Sequence, residues 1–215
     1  MKYSLVIFDL DGTILDTLDD LSDSVNFALK NNNLPLRTKA EVRSFVGNGI
    51  RLLIERAVPE ETPECLTDKV FVDFRQYYAL HSCDNTKPYE GIIEVLFNLR
   101  NNGIKTAVVS NKADFAVQAL IDKYFHGLFD FVAGEREGVS KKPAPDTVFE
   151  AVRETCSELS STVYVGDSEV DVETAKNAGI DCVITDWGFR DREQLILAGA
   201  DTIVSDMTCL LSELM

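Results

Sequence analysis

The sequence predicts an α/β fold in which a doubly wound parallel sheet is interrupted by an inserted all-helical segment. Three observations support this prediction. An apolar run at residues 5–8 ends abruptly in two carboxylates, Asp9 and Asp11. From about residue 87 onward, short apolar runs alternate with amphipathic helical patterns, as they do in βαβ units. Residues 16–84 show helical patterns without a convincing strand.

The strands of the sheet are expected where short runs of apolar, mostly β-branched residues occur. Besides 5–8, these runs lie at residues 105–109, 129–133, 162–165, 182–185 and 202–204. A helical pattern separates each run from the next, so the strands should be parallel and joined by right-handed crossovers.

The inserted segment is predicted to hold four helices, beginning near residues 18, 39, 50 and 63. Asp16 or Thr17 is a suitable N-cap for the first of them. The predicted division is therefore a core of residues 1–15 and 85–215 and a helical cap of residues 16–84. Because the cap follows the first strand, we expect it over the carboxyl end of that strand.

Charge and cysteine content narrow the class of protein. The chain has 36 acidic and 21 basic residues, a net charge of −15, which argues against nucleic-acid binding. The five cysteines form no CxxC pair, which is typical of reduced thiols in the cytoplasm. No apolar stretch approaches the ~18 residues of a membrane span, so no membrane partner is expected.

Polar side chains follow three of the predicted strands. Asp9 and Asp11 follow the first, Ser110 the second, and Asp167 with Asp171 the fourth. Parallel strands end at one edge of their sheet, where ligands of such folds bind, so these side chains should converge. Taken singly, each could instead be a turn residue or a helix cap.

Four short motifs carry a family resemblance. The motifs are Asp9-x-Asp11-Gly-Thr13, Ser110-Asn111-Lys112, Lys142-Pro143-x-Pro145 and Gly166-Asp167-Ser168-x-x-Asp171. In order and rough spacing they resemble the haloacid dehalogenase (HAD) superfamily of phosphohydrolases, with a Rossmann-like core and, here, a helical cap. Further segments resemble the phosphoglycolate phosphatases within it: 46–49, 88–91, 109–112 and 187–189.

The resemblance implies roles for the two aspartates of the first motif. Asp9 would be the nucleophile that forms an aspartyl-phosphate. Asp11 would protonate the leaving group and then activate water. Thr13 is interpreted as a brace for the first loop.

The resemblance also implies a metal and a phosphate site. Mg²⁺ would be held by Asp9, Asp167 and the main-chain carbonyl of Asp11, with Asp171 behind them. Phosphate would be bound by the Ser110 hydroxyl, the backbone N–H of Asn111 and Lys142. The adjacent Lys141 is read as solvated surface charge, and which of the two lysines contacts phosphate stays open at this point.

The cap is expected to select the substrate. The loop Gly47-Asn48-Gly49 precedes a helix, so its N–H groups could bind a small carboxylate; the alternative is a turn without a ligand.

The function implied is a Mg²⁺-dependent phosphatase acting on a small anionic phosphorylated metabolite, most simply 2-phosphoglycolate, in a monomer or homodimer. The alternatives are a phosphosugar mutase resembling β-phosphoglucomutase, a pyrophosphatase or nucleotidase of the same fold, and a non-catalytic binding protein. The last is disfavoured because Asp9, Asp11 and Asp167 are all present.

Overall fold

The chain divides into two compact units in the computed structural model, which describes residues 2–47 and 49–215. The core unit holds Pro88–Met215 and the chain before Asp16, and the helical unit is Asp16–Lys87. No helix in the described part of the chain combines the length and apolar character needed to cross a membrane.

Eight strands are present in the described residues. In chain order they are β1 (Leu5–Phe8), β2 (Leu15–Asp16), β3 (Lys87–Pro88), β4 (Lys105–Ala113), β5 (Phe131–Glu135), β6 (Thr162–Gly166), β7 (Asp181–Thr185) and β8 (Ile203–Val204). Six of them form a sheet in the order β5-β4-β1-β6-β7-β8, and every neighbouring pair is parallel. The short β2 and β3, which the sequence did not predict, pair with each other.

The centre of the sheet is β1, with β4 on one side and β6 on the other. Phe8 is in register with Val108 of β4 and Val165 of β6. The three strands therefore run side by side as far as Phe8, and the residues that follow Phe8 and Val165 emerge next to one another.

One prediction about β4 is wrong. The strand does not end at Val109 but continues to Ala113, so Ser110, Asn111 and Lys112 lie in the strand and not after it. The physical reason is that β5 extends further than β1: a register shift follows Val109, and Ala113 still pairs with Glu135.

The core helices cover the sheet and fill the connections between strands. They are α5 (Ile92–Asn101), α6 (Asp114–Phe125), α7 (Asp146–Glu154), α8 (Glu169–Ala178), α9 (Arg192–Leu197) and α10 (Met207–Leu214), numbered after the four helices of the helical unit. On one face, the alternate residues Leu5 and Ile7 of β1 pack in one buried cluster with Val148 of α7 and Ala175 of α8. This is the α/β architecture that the sequence predicted.

One strand begins and ends two residues later in the chain than predicted. The run 129–133 was expected to form the strand that is observed as Phe131–Glu135. Phe129 instead packs edge-on against Phe8 and Phe125, so its apolar character reflects core packing ahead of the strand. The carboxyl-terminal helix α10 was not predicted.

The helical unit contains the four expected helices, α1 (Leu18–Asn31), α2 (Lys39–Phe45), α3 (Ile50–Ala57) and α4 (Glu64–His81). α1 packs mainly against α4, and Val25 and Phe74 are fully buried. Thr17 takes the N-cap position of α1 but its side chain makes no capping hydrogen bond. Within this unit Asp20, which is buried, accepts hydrogen bonds from the backbone and side chains of both Asn85 and Thr86.

Candidate active site

The loop after β1 carries Asp9 and Asp11 and turns sharply at Gly12. The backbone of Gly12 has φ +85°, a conformation that favours glycine. A Cβ at this position would also collide with the Asp167 carboxylate and the Phe189 ring. Glycine is therefore required both by the turn and by the close approach of the Asp167 side chain.

Two further contacts fasten this loop to neighbouring segments. The Thr13 hydroxyl donates a hydrogen bond to Asp167 Oδ1 at 3.2 Å, which fits the bracing role expected for it. The indole N–H of Trp187 donates to the Thr13 carbonyl at 3.2 Å. No sequence signal assigned this role to Trp187, because it lies 174 residues away along the chain.

Asp167 and Asp171 are placed by the junction of β6 with α8. Ser168 caps α8, and its backbone N–H and hydroxyl both donate to Asp171 Oδ2, at 3.1 and 2.7 Å. The backbone N–H of Asp167 donates to the same oxygen at 3.2 Å. Asp167 itself accepts from the Phe189 N–H at 2.7 Å. The capping arrangement thus holds two carboxylates at the edge of the sheet.

Asp9, Asp167 and Asp171 form one buried carboxylate cluster. One oxygen of each lies within 4.8 Å of the others. Burial raises the pKa of Asp9 to about 6, although the charge of Lys142 opposes this. Burial and the charges of Asp171 and Asp9 raise the pKa of Asp167 well above its usual range. Three acids so close together strongly favour a bound cation.

Lys142 supplies positive charge to this cluster. Its ammonium lies 2.9 Å from Asp9 Oδ1 and donates hydrogen bonds to Asp171 Oδ1 at 2.7 Å and to the Tyr164 hydroxyl at 3.0 Å. Burial alone would lower the pKa of Lys142, but the charges of Asp171 and Asp9 outweigh it and raise that pKa well above its usual value. Lys141 is exposed, whereas Lys142 is buried beside the carboxylate cluster. Which of the two lysines contacts phosphate stays a prediction.

Asp9 keeps one oxygen available despite its burial. Its Oδ1 accepts no hydrogen bond, since the approach of Lys142 at 2.9 Å has the distance but not the direction of one. A buried carboxylate oxygen without a hydrogen-bond partner is costly and is typical of a functional position.

The residues of the second motif make different contacts in the site. Ser110 is buried, and its hydroxyl oxygen accepts from the Lys112 backbone N–H at 3.3 Å. The Asn111 side chain donates to the Lys142 carbonyl at 2.9 Å and accepts from the Lys142 N–H at 2.8 Å. The Asn111 amide therefore anchors the segment that carries Lys142.

Lys112 is a residue of this site to which sequence reasoning gave no role. Its ammonium lies 3.0 and 3.2 Å from the two oxygens of the Asp11 carboxylate. The available signal was its place in the second motif, two positions after Ser110.

The predicted substrate loop of the helical unit is only partly described. Asn48 lies outside the described residues. Gly49 is the N-cap residue of α3 with φ +94°, so the loop does precede a helix as expected. Whether Gly47, Asn48 and Gly49 bind substrate stays a prediction.

Comparison with known proteins gives consistent results. Residues 6–185 match the family model described as haloacid dehalogenase-like hydrolase. A phosphoglycolate phosphatase of Mesorhizobium japonicum is 34% identical over 198 residues, which is 89% of this chain and 86% of that protein.

Two crystal structures have nearly the same fold. A protein from Lactobacillus delbrueckii subsp. bulgaricus matches with a TM-score of 0.94 and 36% identity, over 100% of this chain and 99% of the other. A predicted phosphoglycolate phosphatase from Haemophilus somnus matches with a TM-score of 0.91 and 29% identity, with the same coverage.

The match to the family model spans most of the chain and includes all four motifs that meet at the edge of the sheet. The predicted resemblance to the phosphoglycolate phosphatases and the predicted fold class are confirmed. The chain belongs to the haloacid dehalogenase-like hydrolase family.

Proposed function

We propose that this hydrolase cleaves small phosphomonoesters, with 2-phosphoglycolate as its substrate, through an aspartyl-phosphate on Asp9. The observation that carries the proposal is the Asp9 carboxylate. It stands at the carboxyl edge of the sheet beside the Lys142 ammonium, with Oδ1 free of hydrogen bonds. The choice of 2-phosphoglycolate as substrate rests on the relatives, several of which are named phosphoglycolate phosphatase.

Asp9 and Asp11 divide the chemistry. An oxygen of Asp9 attacks phosphorus, the bond from phosphorus to the ester oxygen breaks, and the Asp11 carboxyl gives its proton to the departing alkoxide. Asp11, now ionised, then takes a proton from the water that attacks the aspartyl-phosphate. Phosphate leaves, and both aspartates return to their starting forms.

The phosphoryl group needs positive charge and hydrogen-bond donors. Lys142 already has two acceptors that orient it, Asp171 and Tyr164, so its remaining N–H can face the phosphoryl oxygens near Asp9. The Ser110 hydroxyl, on the neighbouring strand, is a further donor. Groups positioned before the reaction in this way stabilise the charge of the transition state without reorganising.

The carboxylate cluster fits a hard divalent cation. The donors are carboxylate oxygens, one of them without a hydrogen bond. Burial, together with the charges of neighbouring carboxylates, raises the pKa of Asp9 and of Asp167, and a cation would stabilise their ionised forms. We assign Mg²⁺ to Asp9, Asp167 and the Asp11 main-chain carbonyl. Asp171 supports the site, since its Oδ1 pairs with the Lys142 ammonium and its Oδ2 accepts three hydrogen bonds, from the Asp167 N–H and from the N–H and hydroxyl of Ser168. When bound, Mg²⁺ offsets the repulsion between the Asp9 carboxylate and the substrate phosphate.

The two compact units suggest separate tasks. We assign the chemistry to a core domain and substrate selection to a cap domain, the helical unit, whose Gly47–Gly49 loop would bind the substrate carboxylate. With reduced cysteines, the compartment we propose is the cytoplasm.

The test is phosphate release from a panel of phosphorylated compounds, with Mg²⁺ or with EDTA. The panel holds 2-phosphoglycolate, 3-phosphoglycerate, glucose 6-phosphate, AMP and pyrophosphate, and Asp9→Asn is the control. We expect Mg²⁺-dependent release, fastest from 2-phosphoglycolate and abolished in the variant. Equal rates across the panel would overturn the substrate assignment. Conversion of β-glucose 1-phosphate to the 6-phosphate without phosphate release would make the protein a mutase.

A further inference from the structure

The site contains a second buried lysine that the mechanism above does not use. We propose that Lys112 is a positioning residue that holds the Asp11 carboxylate in the orientation needed for its proton transfers. The inference rests on the proposed function, because it concerns the acid–base step assigned to Asp11.

The contact between Lys112 and Asp11 is short, bidentate and largely buried. The ammonium contacts both carboxylate oxygens, at 3.0 and 3.2 Å. The side chains of Lys112 and Asp11 are 5% and 19% exposed. Exposed pairs constrain side chains weakly, but a pair this far from solvent has few competing water contacts. Contact with both oxygens also restricts rotation of the carboxylate about its terminal bond.

The backbone of Lys112 belongs to β4. It lies past the end of β1, in the stretch between Val109 and Ala113 where the register with β5 shifts. Its backbone N–H donates to the Ser110 hydroxyl oxygen. The lysine therefore projects from the sheet and not from a loop, and the two Asp11 oxygens orient its ammonium.

The two buried lysines of the site contact different carboxylates. Lys142 contacts Asp9 and Asp171, whereas Lys112 contacts Asp11. This separation lets the site orient the nucleophile and the acid–base residue independently. A misplacement of about 1 Å in a reacting group can cost about 100-fold in rate. Loss of Lys112 should therefore slow the steps that depend on Asp11 by roughly 10- to 100-fold.

The experiment compares Lys112→Met with wild type on two substrates that differ in their need for an acid. The leaving group of 2-phosphoglycolate must be protonated, whereas p-nitrophenolate leaves without a proton. In Lys112→Met, p-nitrophenyl phosphate should give a rapid burst of about one nitrophenolate per enzyme, followed by slow turnover, because only aspartyl-phosphate hydrolysis still needs Asp11. With 2-phosphoglycolate kcat should fall without a burst, and KM should change little.

Three controls separate this role from others. Lys112→Arg keeps the charge and should recover part of the lost kcat, which also serves if Lys112→Met folds poorly. Lys176→Met removes an exposed lysine and should match wild type. In the Asp11→Asn background, Lys112→Met should add less than a twofold loss, because its effect passes through Asp11.

Specific results would overturn the proposal. An equal slowing on both substrates without a burst would show a general structural role. A raised KM for 2-phosphoglycolate at unchanged kcat would make Lys112 a substrate-binding residue. A full further loss in the Asp11→Asn background would show that Lys112 acts independently of Asp11. Failure of the proposed phosphatase chemistry would look different, because wild type would then hydrolyse neither substrate; failure of the substrate assignment alone would appear in wild type, before any variant is compared.

Discussion

Replacing Asp9 by asparagine should abolish activity and yet stabilise the protein when no metal is present. Burial raises the pKa of Asp9 to about 6, from 3.8 in the absence of the fold, even though Lys142 lies 2.9 Å away. At about 1.36 kcal/mol per pH unit, this difference corresponds to a cost on the order of 3 kcal/mol for keeping Asp9 ionised in the folded state. Asparagine has nearly the same shape and carries no such cost.

The pH dependence follows from the sign of the change. Below pH 3.8 the carboxyl is protonated in the folded and unfolded states alike, so the variant and wild type should be equally stable. Between pH 3.8 and about 6 the unfolded chain releases this proton and the folded one keeps it, so wild type loses stability relative to the variant. Above about pH 6 the difference should level off at its full value.

The assay is urea unfolding followed by circular dichroism, with EDTA, at pH 4 and pH 7.5. Asp9→Asn should have the higher free energy of unfolding at pH 7.5 and no advantage at pH 4. Asp201→Asn, at an exposed position, controls for the loss of one negative charge from the whole protein. A variant less stable than wild type at pH 7.5 would refute the reasoning, since pairing with Lys142 would then outweigh burial.

Three further predictions concern the metal, the orientation of Lys142 and the helical unit. Mg²⁺ at 100 times its dissociation constant should stabilise wild type by about 2.7 kcal/mol, and Asp167→Asn should remove this shift in a thermal unfolding assay. Tyr164→Phe deprives the Lys142 ammonium of an acceptor, so it should lower kcat several-fold and the free energy of unfolding by about 1–3 kcal/mol; unchanged kinetics would contradict the orienting role. Asp20→Asn points an N–H₂ group at donors such as the Thr86 N–H. It should lower the free energy of unfolding in urea by about 1.5–3 kcal/mol. An unchanged free energy of unfolding would show that these hydrogen bonds contribute little.

The sequence by itself determined the architecture and the nucleus of the site. Apolar runs separated by helical patterns specify parallel strands, and parallel strands end at a common edge. Asp9 directly follows such a run, and Asp167 follows another after one residue, Gly166. Their convergence could therefore be inferred without coordinates. The helical insertion could also be predicted, because the 3.6-residue periodicity of a helix is a local property of the chain.

The tertiary structure decided which side chains pair across these elements. Lys142 reaches Asp171 and Asp9, and Lys112 reaches Asp11 across 101 residues of sequence. The contact of Lys112 depends on the continuation of β4 past Val109 beside β5, which no local pattern encodes. Side-chain direction at the sheet edge is set by neighbouring strands, so the partners of each carboxylate became visible only once the chain was folded.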